Sequence, residues 1–353
     1  MEEYKIGLVG ATGYVGVELL KLFDEMDNLE VSFVSSSGSI GKNLYEQINE
    51  FKRIPNLQLS SVEDIKEKDL DYVFFATQHN FSMDYVPFLL EKDIKIIDLS
   101  ADFRISDASL WAEAYEDEHR AKNLLSSAVY GLPEKERNKI KEANLVAVPG
   151  CYPTASILGL LPIADNIKAS SNIILDVKSG ISGAGRNKVE SDLSDDIVEN
   201  FKAYSAQSHR HQFEIGHFFK KNYKLDNKIV FTPHLLPIFR GEYVTCYVET
   251  SNFEDSIQET YENFYKNEKF VRVLTKGTVP ELKKVQNTNF CDISVFMKEN
   301  ILTIHIAIDN LMKGAASQAI QCFNLMSGAN EYEGVTLKAV SYTHLRAHET
   351  SVD

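Results

Sequence analysis

Lys5-Ile6-Gly7-Leu8-Val9-Gly10-Ala11-Thr12-Gly13-Tyr14-Val15-Gly16 opens the chain with a short β-rich run and a glycine turn. The apolar spacing Val17, Leu19, Leu20, Leu22, Phe23 of a helix follows. Strand, glycine turn and helix in that order form the context a dinucleotide fingerprint requires. Gly10 permits the tight turn, Gly13 lets the backbone approach a pyrophosphate, and Gly16 lets the helix lie close to the strand. Thr12, Tyr14 and Val15 complete the turn and join the three glycines as cofactor-binding candidates. The spacing is G-x-x-G-x-x-G rather than G-x-G-x-x-G, and three glycines in a turn can be structural only. The flanking strand and helix favour a nucleotide.

A second strand, 30–34, ends in Ser35-Ser36-Ser37-Gly38, with Lys42 beyond. An Asp or Glu here would hold the ribose 2′-hydroxyl of NAD. There is none, and small hydroxyls with a lysine suit the 2′-phosphate of NADP, although a serine loop after a strand is also ordinary turn chemistry. Further apolar strands read at 71–76, 95–99 and 145–148, with a helical pattern over 82–90. Their nearly continuous apolar character fits a parallel sheet covered on both faces. Thr77, Gln78 and His79 follow one strand at its carboxyl end, where ligands sit in such sheets. Arg104 follows the next, and its planar guanidinium suits a phosphate or carboxylate; the plainer reading pairs it with Asp102 or Asp107. Residues 1–150 thus read as a Rossmann-type nucleotide-binding domain.

The chain has 353 residues, which favours two domains, with a net charge of −14 that argues against a nucleic-acid or anionic-membrane surface. No apolar run reaches a membrane span and no leader pattern precedes the first strand. The four cysteines, Cys151, Cys246, Cys291 and Cys322, form no CxxC pair, so no disulfide framework or zinc site is expected, and a cytoplasmic home is. Residues 341–353 have no period and read as a vector-encoded or read-through tail.

In the second half, Pro149-Gly150-Cys151-Tyr152 ends an apolar run, and Pro153-Thr154 opens a helical one over 155–164. Cys151 then stands at or just before a helix N-terminus, which lowers a thiol's pKa toward neutrality. A small buried hydrophobe is the plainer reading. A strand at 172–177 leads into Ser179-Gly180-Ile181-Ser182-Gly183-Ala184-Gly185-Arg186, a glycine turn able to approach a ligand. His209-Arg210-His211 with Glu214 is the densest cluster of acid/base and anion-binding groups. Residues two apart do not share a helix face, and Glu214 three residues on is placed to orient His211, which favours His211 over His209. Strands read at 229–232, 243–250, 290–297 and 302–308, an irregular connection at 233–237 leads to Arg240, and a last helix at 315–325 returns to the first domain, bringing Asn310 to the nicotinamide. The second domain is α+β, over 151–310, and the helix at about 311–328 completes the first.

These segments, with Asp98 to Arg104, Tyr130-Gly131-Leu132-Pro133-Glu134 and Asp309 to Gly314, resemble the N-acetyl-γ-glutamyl-phosphate reductases of arginine biosynthesis, relatives of aspartate-semialdehyde dehydrogenase. They run in the family's order over residues 1 to about 328. Members usually carry an arginine where this chain has Ser37. The resemblance implies NADPH as cofactor, a small-molecule substrate and a homodimer or homotetramer. It also implies that a Cys151 thiolate attacks N-acetylglutamyl 5-phosphate and expels phosphate, and that the resulting thioester is reduced to the semialdehyde. His211 or His209 would act as acid/base, Arg104 would hold the leaving phosphate, and Arg210, Glu214, Arg240 and Ser182 would position substrate. Ser179, Gly180, Gly183 and Asn310 would face the cofactor. The alternatives are an aminoadipyl or aspartyl phosphate as substrate, or a non-catalytic NADP-binding redox sensor.

Overall fold

The computed structural model describes residues 3–186, 189–190, 199–251 and 256–335; the predicted tail at 341–353 lies outside them. Six strands, β1 (Tyr4–Val9), β2 (Leu29–Ser35), β3 (Tyr72–Phe75), β4 (Lys95–Asp98), β5 (Val129–Tyr130) and β6 (Leu145–Ala147), form a parallel sheet in the order β2-β1-β3-β4-β6-β5. Ile6, Leu8, Phe74, Phe75, Ile96 and Ile97 are fully buried, as strands covered on both faces require. From β1 the chain steps to β2 on one side and β3 on the other. The carboxyl ends of β1 and β3 therefore flank the topological switch point, where open α/β sheets bind ligands. Helices α1 (Tyr14–Phe23), α2 (Val86–Glu91), α3 (Ala108–Tyr115) and α4 (Pro133–Lys141) connect these strands. The helical pattern at 82–90 forms as a 3₁₀ turn, Ser82–Asp84, and then α2, because Pro87 fits only a first turn.

The second layer is a seven-stranded mixed sheet in the order β11-β12-β13-β10-β7-β9-β8. Its strands are β7 (Ile173–Ser179), β8 (Lys202–Ala203), β9 (Ile229–Leu235), β10 (Glu242–Glu249), β11 (Val271–Val273), β12 (Cys291–Lys298) and β13 (Ile301–Ile308). Residues 233–235, expected in an irregular connection, extend β9 instead: Val177 to Ser179 of β7 pair with Pro233 to Leu235, and Pro233 gives up no ladder donor it needs. One sheet face buries Leu175, Val177, Val244, Cys246, Ile304 and Ile306 under α5 (Cys151–Leu160). Cys246, Cys291 and Cys322 are fully buried packing residues. The other face bears Ile174, Tyr247 and Ile301, all exposed.

Helices α6 (His211–Tyr223), α7 (Ile257–Tyr265), α8 (Leu282–Val285) and α9 (Ala316–Ser327) complete the chain. As expected, the last helix returns to the first sheet. Phe323 stands edge-on to Tyr72 at 4.9 Å, and Ala316, Ala319 and Ile320 share the core of Ile6, Leu8 and Leu20.

Candidate active site

At the switch point the glycine turn takes the form its residues dictate. Gly10 has φ +89°, and a Cβ there would lie 2.4 Å from the Ala76 carbonyl oxygen. A Cβ on Gly16 would lie 2.2 Å from the Gly10 oxygen, so α1 can approach β1 only without a side chain. At Gly13, the N-cap of α1, the nearest atom would be 3.4 Å away, which leaves the helix mouth open to a ligand. Thr12 and Ser36 share a hydrogen bond of 2.5 Å between their hydroxyls. Ser35 is buried and accepts from the Gly10 and Ala11 N–H groups, while Ser37 and Lys42 are exposed at the end of β2. Thr77, beside Gly10, has a buried hydroxyl with no hydrogen-bond partner. An orphaned donor, an open helix mouth and no acid at the end of β2 fit a dinucleotide with a 2′-phosphate.

Helix α5 begins at Cys151 itself, two residues earlier than Pro153-Thr154 led one to expect, with Gly150 as its N-cap. Pro153 sits in the first turn, where a missing N–H costs nothing. The Cys151 N–H, first of the helix, has no intrahelical acceptor by position, and the Tyr152 N–H points at the sulfur. Gly314 presses on Cys151 from the other side; a Cβ there would lie 2.7 Å from the cysteine Cβ. The expected lowering of the thiol pKa is not what the surroundings give. Cys151 is half-buried but its sulfur is densely surrounded, and burial together with the Glu242 carboxylate pushes the thiol well up, against the smaller opposing pull of the Tyr152 N–H and Arg104. Burial of the sulfur, with the carboxyl beside it, outweighs the helix mouth's pull on a thiolate.

His211 is the first residue of α6, and its Nε2 would lie 2.4 Å from a Cβ on Gly150. Its imidazole therefore lies over the peptide that leads into Cys151. Burial, then His209, Arg104 and Arg210, hold it well below the usual histidine range, so it is neutral. Its Nδ1 has no partner, so Glu214 does not orient it. Glu214 instead accepts from Tyr130 Oη at 2.8 Å and from the Gly150 N–H at 3.1 Å, and faces Arg104 at 3.5 Å. Glu214 shares a helix face with His211, but its carboxylate is taken up by Tyr130, Arg104 and the Gly150 N–H of the loop before α5. His209 is held one layer back: its Nδ1 accepts from the His211 N–H at 3.2 Å, its ring stacks on Phe231, and burial lowers its pKa to about 4.

Arg104 is almost wholly buried. It pairs with neither Asp102 nor Asp107 but donates to the Val148 and Leu99 carbonyls, both at 2.7 Å, and its second terminal nitrogen faces Glu214. Asp102 serves the N–H groups of Asn80, Phe81 and Met83, and Asp107 caps α3. Arg210 is exposed, makes no ion pair among the described residues, and donates to His79 Nδ1 at 2.6 Å, joining the two halves at the sheet edge. Arg240 is engaged by Asp309 at 3.0 Å, Glu18 at 3.5 Å and Asn287, which takes its guanidinium away from open space. Asn310 donates to Ser182 Oγ at 2.9 Å and accepts from the Gly241 N–H at 2.7 Å, beside Gly183 and the Gly180 turn. Gln78 is exposed and Val15 half-buried, while Tyr14 lies between the ring of Phe239 and the guanidinium of Arg186. Ser179 is buried. Sequence reasoning missed Glu242. It is the first residue of β10, fully buried, against the Cys151 thiol, and neither of its oxygens makes a well-formed hydrogen bond.

Residues 5–143 match the family described as semialdehyde dehydrogenase, NAD binding domain, and residues 151–310 that described as semialdehyde dehydrogenase, dimerisation domain. The chain is 43% identical over 333 residues to an N-acetyl-gamma-glutamyl-phosphate reductase of Ruthia magnifica, covering 94% of this chain and 97% of the other. It belongs to the N-acetyl-gamma-glutamyl-phosphate reductase family. A reductase of Clostridium novyi is 40% identical over 343 residues, 95% of this chain and 99% of its own. The reductase fold is shared with aspartate semialdehyde dehydrogenase II of Vibrio cholerae, at TM-score 0.70 and 18% identity, over 93% of this chain and 99% of that one.

Proposed function

We propose that this chain catalyses the NADPH-dependent reductive dephosphorylation of N-acetyl-L-glutamyl 5-phosphate to N-acetyl-L-glutamate 5-semialdehyde and phosphate, a step of arginine biosynthesis. The observation that carries this reading is the thiol of Cys151 at the mouth of α5, with the His211 imidazole over the preceding peptide, in a chain of this family. The Cys151 sulfur attacks the acyl carbon; the C–S bond forms and the C–O bond to phosphate breaks, leaving a thioester. When bound, NADPH is the hydride donor. Once the thioester carbon is reduced, the Cys151 N–H faces the tetrahedral oxyanion, and its collapse breaks the C–S bond, frees the aldehyde and restores the thiolate. His211 moves protons at the reacting oxygen atoms, and His209 supports it.

Arg210, without a carboxylate partner among the described residues, takes the anionic end of the substrate, and Arg104, with donors left over, borders the departing phosphate. Glu214 fixes the Gly150 N–H and so the start of α5, and Ser182 braces Asn310. Residues 1–150 with α9 form the nucleotide unit. Gly10, Thr12, Gly13, Tyr14, Val15 and Gly16 hold the pyrophosphate, and Ser35, Ser36, Ser37 and Lys42 the 2′-phosphate. Thr77, Gln78, Ser179, Gly180, Gly183 and Asn310 hold the nicotinamide half. His79 is withdrawn from that set, being engaged by Arg210. Copies of the chain pair through the uncovered face of the second sheet, in the cytoplasm.

The test is phosphate- and NADP-dependent oxidation of N-acetylglutamate semialdehyde, with and without iodoacetamide, beside the aspartyl and aminoadipyl semialdehydes. Expected is activity with the first alone, abolished by alkylation. Preference for another aldehyde overturns the substrate, and full turnover by Cys151→Ser overturns the covalent route.

A further inference from the structure

Two groups able to take a proton stand near Cys151, and they are unlike: Glu242 lies against the thiol, while His211 lies over the Gly150 peptide that precedes it. His211 arrives from α6, neutral and buried with Arg104 and Arg210 near it, so that a positive charge on its ring is opposed. Glu242 arrives from β10 as a carboxyl that is 0% exposed and lacks any well-formed hydrogen bond. Its ladder partners are Ser179 of β7 and Ile308 of β13. The titratable groups facing it are Cys151 and Tyr152 from α5, Tyr204 from the segment before α6, and Asp309 from the end of β13, which itself pairs with Arg240. Of these only the Cys151 S–H donates to the carboxylate, and Asp309 repels it.

We propose that Glu242 is the group that takes the Cys151 proton, so that in the reactive form sulfur and carboxyl hold one proton between them. The inference rests on Cys151 being the nucleophile. The S–H bond breaks and an O–H bond forms on Glu242, while the freed sulfur lone pair makes the bond to the acyl carbon. The proton stays on the carboxyl until the C–S bond breaks and then returns to sulfur; the departing phosphate draws its own proton from water. The transfer removes charge from a buried carboxylate whose donor is the Cys151 thiol itself and places it on sulfur. There the Tyr152 N–H, the helix mouth and Arg104 receive it. The same transfer to His211 would create a buried cation among two arginines.

Burial, opposed by the Cys151 contact and aided by Asp309, pushes the Glu242 carboxyl up to about 8. Below that pH the pair holds two protons and no acceptor is free, so kcat/KM should rise with pH through an inflection near 8. Glu242→Gln should fold and bind NADP as the parent does, lose about 100-fold in kcat/KM at pH 8.5, and lose that inflection; Glu242→Asp should recover part of the loss. Wild-type kcat/KM and pH profile in Glu242→Gln overturn the proposal. So does faster alkylation of that variant with undiminished turnover, which would make the carboxylate a brake on the thiol. Alkylation of the unmutated protein by iodoacetamide supplies a second reading: two inflections, the first near 8, support shared protonation, and a single rise above pH 9 overturns it. Turnover by Cys151→Ser would remove the nucleophile instead, and leaves a different signature: wild-type activity without a thiol to alkylate at that site.

Discussion

A Cβ decides different things at two glycines three residues apart. At Gly16 it would meet the Gly10 and Ala11 carbonyl oxygens at 2.2 and 2.8 Å, neither able to move without moving β1. Gly16→Ala is therefore expected to lower the unfolding free energy by about 1–3 kcal/mol and to weaken NADP binding with it. At Gly13 the nearest atom stands at 3.4 Å, so Gly13→Ala should leave the melting temperature near the parent's and still raise the Kd for NADP about tenfold or more, because the methyl fills the space a pyrophosphate needs. Calorimetric melts and NADP titrations on the two variants check both statements. This was the scale most legible in the sequence, since a glycine fingerprint is local and its geometry follows from its own atoms. Cys151 and His211 were legible for the same reason, each sitting in a dense local motif. Glu242 was not: a lone acid at the start of a β-rich run looks like an exposed strand end, and only the sheet-to-helix packing brings it to the sulfur. Nor was the true partner of Glu214 visible, because it bonds across 64 residues to Gly150 rather than along its own helix.

Between elements, the joints are made by groups that no periodicity reveals. Lys313, in the stretch before α9, is wholly buried and donates to Glu134 of α4 at 2.6 Å and to Gln321 at 2.8 Å. Glu331 accepts from Gln321 and pairs with Arg137, which also holds Glu268. The next residue after Lys313 is Gly314, pressed on Cys151, so this network fixes the strap beside that cysteine. Taking one partner from a buried pair strands the other. Lys313→Met should therefore cost about 3–5 kcal/mol in denaturant unfolding, while Lys313→Met with Glu134→Leu should cost clearly less. Equal losses in single and double variants would show that the pair is not what holds α4 to α9. Most strands and the apolar helices α1, α5 and α9 were read, because alternation and apolar runs survive in one dimension; the more polar α4 and α7 were not. The short β5, β8 and β11 were not, since two or three residues carry no period and owe their form to a neighbouring ladder.

The whole molecule sets a nucleotide sheet and a second, mixed sheet on either side of the α5 mouth, and the last helix binds the two by returning to the first. That leaves one large surface unexplained by the monomer. The mixed sheet buries the Leu175, Cys246 and Ile304 face, while Ile174 and Tyr247, paired directly across β7 and β10, remain 41% and 38% exposed on the other. Ile301 lies on the same side at 48%. An antiparallel sheet facing water would carry polar residues there; apolar and aromatic ones mark a contact surface, in the stretch that matches a dimerisation domain. A lysine there would have to be taken out of water where Tyr247 and Ile174 now meet. Tyr247→Lys is thus expected to shift the protein from oligomer to monomer in sedimentation velocity at micromolar concentration. NADP binding should persist in that monomer, because the glycine turn, Thr77 and the end of β2 all belong to the first sheet and lie away from the altered face. A Tyr247→Lys protein that sediments as the parent does would place the interface elsewhere.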